Sequence, residues 1–118
     1  MWTERAFFGL LSVALLGASP GDIATSKTPV ADAAKAGSHE IVRTLLQRGE
    51  DVNAAQGDGM TALHWAALAG DVDLARMLLY AGANVKATTR LGAFTPLLLA
   101  SKNGQAPMVL ALLDAGAN

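Results

Sequence analysis

The sequence contains no cysteine. That absence excludes disulfides and thiolate metal sites and leaves the redox compartment open. Aromatic residues are scarce: two Trp, one Tyr and three Phe in 118 residues. Ala, Leu and Gly dominate instead, and 52% of the residues are hydrophobic. Such a mixture suits thin helices packed through small side chains better than a thick globular core. No basic stripe is present, because nine Lys and Arg lie scattered among ten Asp and Glu for a net charge of −1. Nucleic acid is therefore not an expected partner, since phosphate neutralisation needs clustered cations. The two histidines, His39 and His64, stand far apart, with no His-x-Glu or His-x-x-x-His pattern. No metal or cofactor is expected from them. Gly-x-Ser-x-Gly occurs only as Gly17–Gly21, directly after the longest apolar stretch, and the other glycines recur along the chain as punctuation rather than as a phosphate-cradling loop, so no enzyme is expected within these residues.

The longest apolar stretch, Ala6–Ala18 (AFFGLLSVALLGA), follows Met1–Arg5 and precedes Ser19-Pro20-Gly21. Its thirteen residues fall short of the roughly 20 that a membrane-spanning helix requires. A charged start, a short apolar stretch and small turn-forming residues form the pattern of an export signal, which places residues 1–24 outside the fold and the mature protein in a periplasmic or secreted location. Glu4 beside Arg5 weakens the positive start, and Ala18 and Ala24 are both possible cleavage points. A helix capping the fold and a short membrane anchor are the other two readings. Without a signal, the chain is expected in the cytoplasm.

From residue 27 onward the chain repeats. At a shift of 33, Thr28 falls on Thr61, Ala33 on Ala66, Gly37 on Gly70 and Gly49 on Gly82. At a shift of 34, these fall on Thr95, Ala100, Gly104 and Gly116. The extra residue lies within Thr88–Phe94, where a surface loop tolerates insertion and a helix does not. The middle copy shows the physics of one unit. Thr61 is a natural N-cap for a short helix over Ala62–Ala69, and Gly70 ends it where a left-handed conformation suits glycine. Asp71 caps a second helix running to about Ala81, with Val72, Ala75, Leu78 and Leu79 on one face, and Gly82 ends that one. A short turn forces the two helices antiparallel. Neither is long enough to stand alone, so the unit must stack on its neighbours.

These residues carry a resemblance. Gly59-Met60-Thr61-Ala62-Leu63-His64-Trp65-Ala66-Ala67, then Gly70, then Leu78-Leu79-x-x-Gly82-Ala83-Asn84-Val85, resembles the ankyrin repeat. Ala62 stands where the family has Pro. The third copy keeps Thr95-Pro96-Leu97 but has Leu98 where the family has His. The first copy keeps Thr28-Pro29, with Val30-Ala31, and lacks the Gly before Thr. The resemblance implies an all-α solenoid of three helix-turn-helix repeats with connecting hairpin loops, over approximately 27–58, 59–91 and 92–118. It also implies a structural role for His64, tying helix to hairpin, and a protein-binding scaffold as the function. Trp65 stands at a usual Leu position, which favours stacking between repeats.

Partner contacts, by the same resemblance, fall on hairpin tips and on variable positions of the first helices. The first tip is Gln56-Gly57-Asp58 with Met60, and the second is Thr89-Arg90-Leu91 with Phe94. The variable pairs are Lys35-Ala36, Leu68-Ala69 and Lys102-Asn103. Gln56, Asp58, Met60, Leu68, Arg90, Leu91, Phe94 and Lys102 are thus the expected contact residues, with Met60, Leu68, Leu91 and Phe94 as apolar anchors not needed for the repeat's own burial. Repeat 1 carries Asp32, Lys35, Glu40 and Arg43, as a polar end cap should. Repeat 3, with Leu97–Leu99 and Val109–Leu113, is more apolar than a cap. It is expected to be covered by further repeats after Asn118 or by self-association. In the first case the array is the N-terminal part of a longer protein and can serve as the interaction arm of an enzyme or effector.

Overall fold

The computed structural model describes residues 26–118, and these contain six helices and no strands. The helices form three antiparallel pairs: α1 (Pro29–Lys35) with α2 (His39–Gln47), α3 (Ala62–Ala69) with α4 (Val72–Tyr80), and α5 (Pro96–Lys102) with α6 (Ala106–Asp114). Each is seven to nine residues long, too short to persist alone in water. Their stability comes from neighbours. The first helices α1, α3 and α5 lie side by side, and the second helices line up behind them. The architecture is an all-α solenoid of three helix pairs.

The repeat register dictates the packing. Ala33, Ala66 and Ala100 occupy one position of the three first helices and are all buried, so the helix backbones approach closely. Behind them, Val42, Leu45, Leu74, Ala75, Leu78, Met108 and Leu112 fill the space between second helices. In α4 the phase of the helix differs slightly from expectation. Leu74, Ala75 and Leu78 are the buried residues, while Val72 and Leu79 pack only at the edge. The reason is geometric: Leu74 and Leu78 are one helical turn apart and share a face, with Ala75 beside them.

Capping follows the residue types. The Thr61 and Thr95 hydroxyls accept from the third helical N–H of α3 and α5. Ser38 and Asp71 do the same for α2 and α4. Thr28 departs from this pattern, because its hydroxyl donates to Asp32 Oδ1 at 3.2 Å and caps nothing. Gly70 closes α3 in the left-handed conformation, φ 69°, at little steric cost for a residue without Cβ. The segment 1–24, expected to be a signal, lies outside the described residues.

Candidate interaction surface

The two hairpin loops between repeats close in the same way and differ above the closure. In the first, Gln56 N donates to Met60 O at 2.9 Å; in the second, Thr89 N donates to Phe94 O at 3.0 Å. The second loop therefore holds the extra residue that the repeat spacing places between Thr88 and Phe94.

The first loop is turned inward. Gln56 Nε2 donates to Asp32 Oδ1 at 2.7 Å, and its Oε1 accepts from Trp65 Nε1 at 2.8 Å. One amide thus joins the loop to both α1 and α3. Asp58 Oδ1 accepts from Met60 N, and its carbonyl accepts from Arg90 N of the second loop at 2.9 Å. Gly59, with φ +86°, lies so close to that loop that a Cβ would stand 2.8 Å from Arg90 N. Two expectations are corrected here. Met60, expected as an exposed anchor, is only 9% exposed, because the tight loop folds it inward. Gln56 is half-buried with both ends of its amide occupied, so it is an internal clasp. Asp58 remains exposed.

The second loop is turned outward. The Thr89 hydroxyl donates to Leu91 O and accepts from Phe94 N, which organises the turn from within. Leu91 stands 86% exposed at its tip, with Arg90 exposed beside it. Phe94 folds back over Gly92, where a Cβ would be 2.4 Å from the ring, and is half-buried. Ala93 takes φ +50° to complete the turn, a conformation costly for a residue with a Cβ.

His64 anchors this loop at its base. It is fully buried, its Nδ1 accepts from Thr61 N at 3.0 Å, and Nε2 lies 2.9 Å from Phe94 O. With Nδ1 as acceptor, the ring proton resides on Nε2 and is donated to the carbonyl. Burial pushes the imidazole's pKa below its ordinary value. The Phe94 and Ala87 backbones and the Asp58 charge pull the other way and do not overcome it. A neutral ring is the state this site requires.

Leu68 and Lys102 are exposed on the first helices, as is Lys35. What spacing alone did not reveal is what the lysines touch. Lys35 Nζ sits 5.2 Å from the centre of the Trp65 ring, in the next repeat, and Lys102 Nζ sits 5.3 Å from that of Phe94. Asn103 Nδ2 donates to Leu68 O at 3.3 Å, tying the end of α5 to that of α3. Among the described residues no group of His, Asp and Glu is placed to hold a metal, and no helix is long and apolar enough to cross a membrane.

A family model described as ankyrin repeats in three copies matches residues 6–89, and a single ankyrin-repeat model matches residues 94–118. The chain belongs to the ankyrin-repeat family. The first match begins within the segment that the sequence pattern reads as an export signal. Ankyrin repeats are non-catalytic elements of protein–protein interaction, so this array is read as a surface rather than a pocket. Among curated relatives, a potassium channel of Oryza sativa subsp. japonica is 46% identical over 76 residues, covering 64% of this chain and 8% of that protein. A palmitoyltransferase of Drosophila melanogaster is 36% identical over 89 residues, covering 75% of this chain and 14% of that protein. A human palmitoyltransferase is 33% identical over 97 residues, covering 80% and 15%. The array thus spans a small part of each relative.

Proposed function

We propose that this array is a protein-binding scaffold that holds its partner with the second loop tip and the exposed ends of the first helices. The observation that carries the reading is Leu91. A large apolar side chain stands almost fully in water on a loop fixed at its base by His64 and from within by Thr89. Rigid presentation of an apolar anchor lowers the ordering cost of association. Arg90, Leu68 and Lys102 extend the contact area, Phe94 contributes the exposed part of its ring, and Asp58 sits at its margin. Gln56 and Met60 support the surface from beneath.

A photo-crosslinking amino acid placed at Leu91, Leu68 or Tyr80 tests this in cells that make the protein. Tyr80 is an exposed control on a second helix. Adducts to one protein from Leu91 and Leu68 but not from Tyr80 are expected. Equal adducts from all three positions, or from Tyr80 alone, refute the reading.

The second reading treats the array as the interaction arm of a longer channel, enzyme or effector. The relatives support it, since each carries its matching segment within a much longer protein. The exposed Leu98, Leu110 and Leu113 on repeat 3 fit either a following repeat or self-association. We further propose export through residues 1–24. Mass spectrometry of the mature protein from envelope and medium decides this, a new start after Ala18 or Ala24 being the expected result and an intact Met1 in the cytoplasm the contrary one.

A further inference from the structure

Lys35, Leu68 and Lys102 occupy one position in three successive repeats, each seven residues after the opening threonine. All three are exposed near the ends of adjacent first helices. The charged residues of those helices are Asp32, Lys35 and Lys102, with His64 buried and neutral. Asp32 is half-buried, and its carboxylate accepts from Ser26, Thr28 and Gln56. The exposed charges of the first helices are therefore both cations. Neither forms an ion pair, since the one among the described residues joins His39 to Asp71. The Lys35 charge does act on Asp32: against the upward push of burial, it helps the side-chain hydrogen bonds hold that carboxyl below its usual range. The second helices differ, with Glu40, Arg43, Asp73, Arg76 and Asp114 exposed and the signs mixed.

Each ammonium is held over an aromatic face. The ring attracts the cation and restricts a long, flexible stem, so less freedom is lost when an anion arrives. Between the two cations lies the exposed Leu68, whose carbonyl is fixed by Asn103. Packed helices stand about 8–10 Å apart, and an extended chain advances about 3.3 Å per residue. One repeat therefore corresponds to about three residues of an extended segment.

We propose that the row docks an extended acidic segment of a partner protein: a carboxylate on Lys35, an apolar side chain about three residues on against Leu68, and a second carboxylate about three further on against Lys102. Because the pattern is symmetric, either chain direction satisfies it. The inference rests on the reading that this face binds protein, and deepens it by naming the partner's chemistry.

The test is selection from a random 16-residue peptide library on the full 118-residue chain, followed by binding of the selected peptides measured by fluorescence anisotropy. Enrichment of two acidic residues about six apart with an apolar residue between them is expected. Lys35→Gln and Lys102→Gln should each weaken binding about two- to fivefold, the range for exposed ion pairs. Leu68→Glu should weaken it more, through repulsion of both flanking carboxylates, and added salt should weaken the wild type most. These exposed substitutions leave the circular dichroism spectrum unchanged. Polyglutamate bound as tightly as the selected peptides overturns the proposal, as does retention of full affinity in the double lysine variant. Acidic residues enriched at a helical spacing, about seven from the apolar residue, also overturn it. Peptides without the acidic pair that are lost on Leu68→Glu overturn this inference and leave the binding face standing. A library that yields no binder, or binders indifferent to all three substitutions, overturns both.

Discussion

The two inter-repeat loops start from the same backbone closure and end with opposite surfaces. The Gln56–Met60 loop is short, folds its methionine inward and uses its glutamine as a clasp on Asp32 and Trp65. The Thr89–Phe94 loop has one more residue, satisfies its turn with Thr89 and sends Leu91 outward. A single inserted residue separates a structural joint from a presented tip. The same contrast recurs on the helices. His64 and Leu98 hold equivalent positions, yet His64 is fully buried under the second loop while Leu98 is 49% exposed. What lies over a position decides its role.

The largest expected effect breaks that helical comparison. His64→Leu removes the Nε2 donor to Phe94 O, which keeps the Thr89 N–H, and leaves the buried Thr61 N–H without its acceptor. A loss of about 2–4 kcal/mol is expected from the orphaned N–H together with the lost bond to the carbonyl, read from urea unfolding. Leu98→His, with nothing above it to bond, should shift stability by less than about 0.5 kcal/mol. Equal costs at the two sites would refute the contrast.

Next come the loops themselves. Met60→Ala should cost about 2–3 kcal/mol as a buried large-to-small change, whereas Leu91→Ala should stay within about 0.5 kcal/mol. Urea midpoints of the two variants give the comparison directly. The reverse order would mean that the two loops exchange roles in solution.

A pH series sharpens the role of the buried ring. The His64 pKa is lowered in the folded protein, so below its ordinary value of about 6.5 the unfolded chain binds the proton and the folded one resists it. Its contribution is full above that value and declines as the pH falls through the window down to the folded pKa. The slope is at most about 1.4 kcal/mol per pH unit for one group. Unfolding of wild type at pH 7.5 and 5.5 should show the decline, and His64→Leu should lack that part of it. A slope unchanged by the substitution would assign the effect elsewhere.

The smallest effect concerns the strained turn. Ala93→Gly relieves a positive φ at some cost in unfolded-chain entropy, for a net gain of up to about 1 kcal/mol. A rise in the thermal midpoint checks it, and a fall would mean that the methyl group contributes packing at the tip.

The solenoid was legible because a 33-residue register brings Thr, Ala, Gly and Leu back to the same places. One copy of that pattern suffices to draw the helices, and three copies draw the stack. The roles of individual loop residues were less legible, since they depend on groups far away in sequence. Gln56 was expected at a free tip, yet its partners are Asp32 and Trp65, each in a different helix. Met60 was expected in solvent because its position in the copy suggested a loop tip, but the tightness of the loop buries it. Lys35 and Lys102 stood out as variable positions, while the rings beneath them were invisible to spacing, Trp65 being thirty residues beyond Lys35. Local pattern fixes elements, and contacts across repeats fix surfaces.

The column Ala33, Ala66 and Ala100 has a consequence beyond packing. These methyl groups set how closely the first helices approach, so they act as a ruler for every partner that touches more than one repeat. A larger side chain in the column would widen the pitch of the row above it without altering one residue of that row. Selectivity for the spacing of a ligand's side chains is thus written partly in residues that no ligand ever meets.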